Sequence, residues 1–509
     1  MNIIGLLFLI VTEFIAGRAL LYMFNVKEKV VSTFAIAMLS GILIISIVPF
    51  ILALFRISLT ANSMYVSILI TTVVLAATQV KKFLNFKIGL WDAIKSIQLY
   101  ELPVIIICIL MMGISVWRCF YYPPFARDMN SGPEAIAEFA VREKTMINSI
   151  FTLNLESTNN HLKPPFITDL QIIYKLLVQP FGQVWLSQIA ICFLIWAYNV
   201  MRDKLHPLIA SLVFLVFFTM PDPFSYTYIM LFDYSNMVFY FAGFYFIMRY
   251  VDTKGYNYFL FSVLMFGFAT YIRPETLVLC GLALPMVIWY QWKDKVAISR
   301  IAINGAIFMI VPFIFYYMWM GIFMKYYMPV HFDVADRINK NLFDLSPFFE
   351  RFYQMNTRIL FEDMLHDIDP PKPPQQSYYA NNGMGLNIAL YGYYIYFFLV
   401  ILITDLIFFR KKFTTEGRIA LYGVLTVYIG MPLLGYLIPW VDLMNTTKRG
   451  LYKMFPLMLI YMRSSGFLLM LSNGIKNWEM PSLTVKKPQP KPQPVPVKQA
   501  TSKQQKGKK

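Results

Sequence analysis

Three carboxylates in a polar stretch over residues 123–165 are the first candidates for chemistry in this chain. Asp128 follows an apolar segment by a few residues, so we expect it at a membrane surface, where it could act as a general base toward a hydroxyl or amine, or help to bind a metal. The pattern GPEAIAEFAVRE predicts a short helix in which Glu134 and Glu138 share one face. The alternative is that all three acids are solvated, with Asp128 as a helix cap.

The same stretch ends in the sequence HLKPPF, which offers a histidine and a lysine. Lys163 precedes two prolines, which favour an extended backbone, and this geometry would direct its ammonium group at a phosphate. His161 lies beside it and is a further candidate for contact with the same ligand. The alternative is a turn that carries a solvated lysine.

Two further basic sites lie later in the chain. Arg273, in YIRPETLVL, stands between two apolar segments and is expected to line a pocket, because an arginine within a membrane is costly. The alternative is an interfacial arginine that pairs with Glu275 and marks a turn. The sequence KRGLYKMFPLML carries Lys448, Arg449 and Lys453 just before the last apolar segment, where an anion such as a lipid phosphate would account for them.

The composition indicates which elements must position these groups. The 509 residues are 58% hydrophobic and 14% charged, with a mean hydropathy of +0.55, and these values exclude an ordinary soluble domain. The formal net charge is +17, and residues 486–509 contain eight lysines and no acid. Such a tail is typical of a solvated cytoplasmic end near anionic lipid. No folded basic domain accompanies it, so nucleic-acid binding is not predicted.

The predicted fold class is all-α, a polytopic transmembrane protein of about 13 helices with long extracytoplasmic loops, since about 20 apolar residues span a bilayer. The thirteen segments lie near 3–24, 32–55, 64–80, 101–121, 184–201, 206–221, 229–250, 257–272, 275–291, 301–324, 388–409, 418–439 and 455–473. The first segment contains two charged residues, so we expect it to be partly shielded by protein or to lie at an interface.

Short basic connections alternate along the chain, and the positive-inside rule places them in the cytoplasm. The long loops 122–183 and 325–387 then face outward together with the N-terminus, and the C-terminus lies inside. We divide the chain into additional N-terminal membrane helices (1–100), a membrane core (101–473) and a disordered basic tail rich in proline and lysine (474–509).

Four motifs between about residues 120 and 473 resemble those of the GT-C class of polytopic membrane glycosyltransferases, in particular the bacterial protein-mannosyltransferase and aminoarabinose-transferase group. They are an acid-bearing loop that runs into AEFAVRE, the KPP that follows it, LMFGFATYIRPETLVL and KRGLYKMFPLMLIYM. The resemblance implies a GT-C-like enzyme of a bacterial inner (plasma) membrane. Such an enzyme would move a sugar from a polyprenyl-phosphate donor to a lipid, glycan or protein acceptor on the outer face.

The resemblance also implies roles for individual residues. Asp128 would be the catalytic carboxylate, and Glu134 is the alternative, because the family places its acids closer to the following helix. Lys163, Arg273 and Arg449 would hold the phosphate of the donor.

Glu138, His161 and Glu275 are counted with the substrate-binding residues, and membrane lipid is a further expected partner. No cofactor is required by the pattern; a divalent metal ion is compatible with it, with unknown ligands. Two other functions stay open. One is a transporter or flippase for a lipid-linked or anionic solute, and the other is a non-catalytic relative that scaffolds envelope assembly.

Overall fold

The structure, a computed structural model, is mostly helical in the residues it describes, and no strand occurs among them. The described residues are 2–84, 95–153, 158, 163–178, 183–327, 338–361, 386–439 and 441–479. The chain is therefore an all-α membrane protein, as its composition predicts.

Longer helices carry the architecture, and short helical turns join them. The first nine are α1 Ile3–Met23, α2 Val30–Ser46, α3 Val48–Leu54, α4 Ala61–Ala77, α5 Leu102–Tyr121, α6 Ala135–Glu143, α7 Phe166–Leu177, α8 Val184–Arg202 and α9 Pro207–Phe218. The others are α10 Phe232–Thr253, α11 Tyr256–Ile272, α12 Thr276–Lys293, α13 Ile298–Tyr317, α14 Ser346–Met355, α15 Tyr394–Phe408, α16 Thr415–Leu437, α17 Phe455–Arg463 and α18 Gly466–Glu479.

Each of the thirteen predicted apolar segments falls on one or two of these helices. In the described part of the chain, six spans are long and apolar enough to cross a membrane, formed by α1, α2 continued by α3, α5, α8, α13 and α16. The pair α17 and α18, bent by 50°, raises the number to seven. The other apolar helices are shorter or more polar, so a count of thirteen crossings stays a prediction.

Two predicted boundaries differ from the structure. The loop predicted at 122–183 contains α6 and α7, and α7 is almost entirely buried. Its sequence, FITDLQIIYKLL, is apolar enough to pack against other helices but too short to span a bilayer. Helix α18 also continues past residue 474, where the tail was predicted to start. Residues 480–509 lie outside the described residues.

Small residues bring α1 and α2 into backbone contact. A Cβ atom added to Gly17 would lie 1.7 Å from the carbonyl oxygen of Ala37, and one added to Gly41 would lie 1.7 Å from that of Glu13. Membrane helices commonly use glycine in this way, because close backbone approach maximises van der Waals contact. This packing also buries the Glu13 side chain completely, so the expected shielding of the first segment is confirmed.

Helix α10 is the centre of the bundle, with nearly every residue buried between its two ends. The start of α10 lies at the same end of the bundle as the ends of α5 and α11 and the starts of α12 and α17. We call this the site end. The opposite end, which we call the distal end, collects the ends of α8 and α10 and the starts of α5 and α16.

Basic residues of connections and of helix ends meet at the distal end, where they pair with acids from other elements. These ion pairs are Lys29–Asp203 (2.5 Å), Arg249–Glu28 (2.7 Å), Arg463–Glu416 (2.7 Å) and Lys254–Asp294. Their convergence agrees with the predicted alternation of connections. Which side of the membrane the distal end faces remains a prediction.

Candidate functional site

The site end brings together Asp128 and Arg449, which are 321 residues apart in the chain. Asp128 lies in a short helical turn just after α5, and Arg449 lies in the turn that leads into α17. An Nη atom of Arg449 donates to Asp128 Oδ2 at 3.1 Å. The Asp128 side chain is 50% exposed and the Arg449 side chain is 15% exposed. The carboxylate therefore faces solvent, and the guanidinium lies mostly inside the protein.

A buried ion triad lies next to this pair. Arg273 follows the last residue of α11 in an extended conformation, with φ −143°, because Pro274 cannot continue the helix. Its guanidinium is 5% exposed and pairs with Asp233 in the first turn of α10 and with Glu275 just before α12. Three helix ends are therefore joined through one arginine. The alternative expectation of an Arg273–Glu275 pair is met, within a larger cluster.

Lys163 reaches the same cluster from the loop before α7. Its Nζ lies 4.7 Å from the centroid of the Phe232 ring, over which the ammonium group makes a cation–π contact. Burial, followed by the Arg273 cation, lowers the pKa of Lys163 to about 8, against the opposing effect of Asp233 and Glu275. These interactions place Lys163 among the charges of the triad.

Lys453 is the most unusual member of the cluster. It is completely buried, and its Nζ makes no hydrogen bond to any described residue. Its electrostatic neighbours are Glu275, Arg273 and Asp233. A buried ammonium group without hydrogen bonds is costly, because its lost hydration is not replaced. An anion that accepted its hydrogen bonds would remove that cost.

A fourth acid and two tyrosines extend the cluster, and the sequence did not predict them. Asp222 lies 3.6 Å from Lys448 Nζ and accepts a hydrogen bond from the Tyr452 hydroxyl. The ring of Tyr226 packs edge-on against that of Tyr452 with centroids 5.2 Å apart, and Arg449 lies over Tyr226 at 6.0 Å. The aromatic-rich sequence PDPFSYTY, between two apolar segments, was the available signal for this part of the site.

Charge counting indicates the kind of ligand that the cluster accepts. The cations are Lys163, Arg273, Lys448, Arg449 and Lys453, and the acids are Asp128, Asp222, Asp233 and Glu275. Five cations face four acids when all are ionised, and the unbonded ammonium group of Lys453 is among them. The site is therefore suited to an anionic group such as a phosphate.

Glu134 and Glu138 belong to a different network. Lys175, whose side chain is 4% exposed, lies 2.5 Å from Glu134 and 2.8 Å from Glu138. Gln171 also donates to Glu134 at 2.9 Å. The hydrogen bond from Lys175 is the main reason why the pKa of Glu138 is lowered. Glu134 and Glu138 thus link α6 to α7. Of the two predicted catalytic acids, Asp128 and Glu134, it is Asp128 that contacts the cationic cluster.

A buried acid that was not predicted lies on α7. Asp169 is fully buried and accepts a hydrogen bond from the Tyr271 hydroxyl at 2.9 Å. Burial raises the pKa of Asp169 well above its usual range, against the effect of this hydrogen bond. The hydrogen bond links α7 to α11, two residues before Arg273. The position of Asp169 in an apolar sequence gave no signal of this role.

Two further predictions concern His161 and a metal ion. His161 lies outside the described residues. Among the residues that the structure does describe, no group of three or more His, Cys, Asp or Glu side chains could hold a metal ion.

The site is thus a cluster of five cationic and four acidic side chains at one end of an all-α membrane protein. Comparisons with protein-family models, with curated proteins and with solved structures gave no match.

Proposed function

We propose that the chain is a membrane glycosyltransferase that transfers a sugar from a polyprenyl-phosphate donor to a lipid, glycan or protein acceptor. One observation carries the proposal: Asp128, Lys163, Arg273 and Arg449, which belong to separate loops, meet in one cationic cluster. An exposed carboxylate beside a cationic cluster suits a reaction in which an acceptor loses a proton and a phosphate departs.

The proposed reaction balances without a further reactant. Asp128 accepts the proton of the acceptor hydroxyl or amine, and the acceptor atom forms a bond to the anomeric carbon of the sugar. The bond between that carbon and the phosphate oxygen breaks, and the phosphate leaves with the electron pair. Lys163, Arg449 and Lys453 then compensate the charge that develops on the phosphate, which is the usual role of preorganised cations in such transfers.

The contact between Arg449 and Asp128 suggests how donor binding prepares the acid. Arg449 donates to Asp128, so the guanidinium occupies one oxygen of the carboxylate. A donor phosphate would compete for the same guanidinium, since arginine binds phosphate well. Asp128 would then be released toward the acceptor, so that activation would depend on an occupied donor site.

The decisive experiment uses the full-length protein in lipid vesicles with a panel of polyprenyl-phosphate hexoses and a panel of lipid, glycan and peptide acceptors, and measures the acceptor-dependent release of free polyprenyl phosphate. Asp128→Asn should abolish release. Glu350→Gln is the matched control, because Glu350 is an exposed acid whose hydrogen bond is to Gln354. Full activity in Asp128→Asn would contradict the proposed role, and an inactive wild type that still binds the lipid phosphate would favour the scaffold alternative.

One observation favours the second candidate, a transporter or flippase for lipid-linked or anionic solutes. Glu13 lies in the middle of α1, is fully buried and accepts a hydrogen bond from Gln188. Intramembrane acids often mark a transport pathway. A vesicle assay separates the two functions: movement of a fluorescent polyprenyl-phosphate hexose between leaflets, without release of polyprenyl phosphate and lost in Glu13→Gln, would support transport.

A further inference from the structure

A lateral cleft runs between α5 and α8, away from the cluster described above. It encloses about 690 Å³, within the range of sites that bind small molecules. Val104, Cys108, Met112 and Val116, spaced by four residues, form one wall along α5. At about 1.5 Å per residue this wall is about 18 Å long. The cleft is thus an elongated apolar groove, with the proportions of a hydrocarbon chain.

The cleft is open to the side, toward the membrane. Ile109 on α5 and Ile195 on α8 both line it, and they are 64% and 38% exposed. The outer face of α5 is also exposed along its length, including Ile106 and Leu110. Since α5 is one of the spans long enough to cross a membrane, its surroundings at this level are lipid. A lipid chain can therefore enter the cleft without crossing protein.

The distal end of the cleft is polar. Ser96, Tyr198, Asn199 and Arg202 line it there, where α8 ends and α5 begins. Arg202 donates to the Ser96 carbonyl at 2.7 Å and pairs with the buried Glu101 at 2.9 Å. One apolar wall and one polar end make the cleft amphipathic, like a membrane lipid.

The cationic group at this end of the cleft is Arg202. Its side chain is 19% exposed and lines the cleft, whereas its partner Glu101 is completely buried. The guanidinium is therefore the member of this pair that the phosphate of a phospholipid headgroup at a membrane surface would meet.

A glycine keeps the cleft open. Gly113 lines it from the middle of α5, and a Cβ atom added there would meet nothing within 4 Å. Glycine in a helix interior costs about 1 kcal/mol relative to alanine. Glycine at position 113 makes no close packing contact that would compensate this cost. Its effect is to leave space in the cleft.

We propose that this cleft binds one acyl chain of a membrane phospholipid, with the headgroup phosphate at the Arg202 end. The site is distinct from the proposed donor site, because Asp128 follows the other end of α5, about 30 Å away for a helix of 20 residues. The inference does not rest on the glycosyltransferase proposal. It requires only that α5 and α8 lie in a bilayer.

The test uses the full-length protein in phosphatidylcholine vesicles that contain a small fraction of phosphatidylglycerol with a photoreactive diazirine in one acyl chain. After irradiation and digestion, mass spectrometry should find adducts on the inner face of α5, around Cys108 and Met112. Gly113→Phe fills the cleft and should lower these adducts about tenfold. Ile114→Phe is the matched control, because Ile114 is 54% exposed and does not line the cleft, and it should leave them unchanged.

The native cysteines provide a second measurement that detects misfolding. Cys108 is partly exposed, whereas Cys119, Cys192 and Cys280 are buried. In detergent, Cys108 should react first with N-ethylmaleimide, added phospholipid should slow the reaction, and Gly113→Phe should remove that protection while the other cysteines stay unreactive. Equal acyl-chain adducts in the two phenylalanine variants, or adducts on Ile106 and Leu110 alone, would overturn the proposal.

Discussion

Arg449 donates to Asp128 at 3.1 Å, and this contact joins the loop after α5 to the turn before α17. The two side chains are unequal partners, because Arg449 is 15% exposed and Asp128 is 50% exposed. Because the carboxylate is half exposed, solvent screens the pair, and its contribution to stability is smaller than that of a fully buried pair. Whether the contact serves ligand binding or folding can be tested.

Arg449→Gln should weaken the binding of polyprenyl phosphate to the full-length protein by about 10- to 100-fold, because a hydrogen bond to a charged group contributes about 1.5–3 kcal/mol. Binding can be measured by the change in tryptophan fluorescence on titration in detergent. The melting temperature should change little. Arg142→Gln is the control, since Arg142 is 70% exposed and pairs with Glu138, outside the cluster. Unchanged affinity in Arg449→Gln would exclude this arginine from the phosphate site.

Substitution in the buried triad, in contrast, should lower the stability of the protein. Asp233→Asn leaves Arg273 in the interior with Glu275 as its remaining charged partner, and removal of one member of a buried ion pair costs about 3–5 kcal/mol. We expect a clear fall in the melting temperature measured by scanning fluorimetry. Asp442→Asn, at an exposed cap, should lower it far less. Equal melting temperatures for the two variants would show that the triad is not a structural centre.

Much of the helical pattern can be predicted from the sequence, because apolar runs of membrane length produce helices almost without exception. The cluster is harder to predict, since it depends on which helix ends lie together. Arg273 and Arg449 were identifiable, because a cation between apolar segments needs a reason. Asp222 and Asp169 were not, because a single acid beside a helix end is common and their tyrosine partners lie more than 100 residues away.

The roles of the two glutamates show a further limit. Glu134 and Glu138 share a helix face, as their spacing predicts, and that face lies toward α7. Lys175, which pairs with both, is isolated in an apolar sequence, and the spacing of residues on one helix carries no information about a cation on another. Long-range pairing of this kind requires the tertiary structure.

Substitution of Lys453 distinguishes most clearly between a role in ligand binding and a role in stability. Lys453→Met removes a buried ammonium group that has no hydrogen bond among the described residues and keeps a side chain of similar length. Without ligand, the melting temperature should stay the same or rise, because the desolvation cost of the charge disappears. The affinity for polyprenyl phosphate should fall about tenfold or more. A variant that is destabilised and binds normally would show instead that Lys453 serves the fold.

The pH dependence of phosphate binding should identify Lys163. Its pKa is lowered from the ordinary 10.5 to about 8, so the ammonium group is present below pH 8 and is lost above it. Affinity for polyprenyl phosphate should therefore fall between about pH 7 and pH 9 by about tenfold, as one charged contact disappears. The free energy of unfolding has the opposite pH dependence. The unfolded chain keeps this proton up to about pH 10, so the contribution of Lys163 to stability rises as the pH increases from about 8 to about 10. Burial lowers the pKa of Lys453 to about 8 as well, so the test is made in a Lys453→Met background. There, Lys163→Arg keeps its charge and should give a flat binding profile to pH 9, whereas an identical fall in that variant would assign the titration to another group.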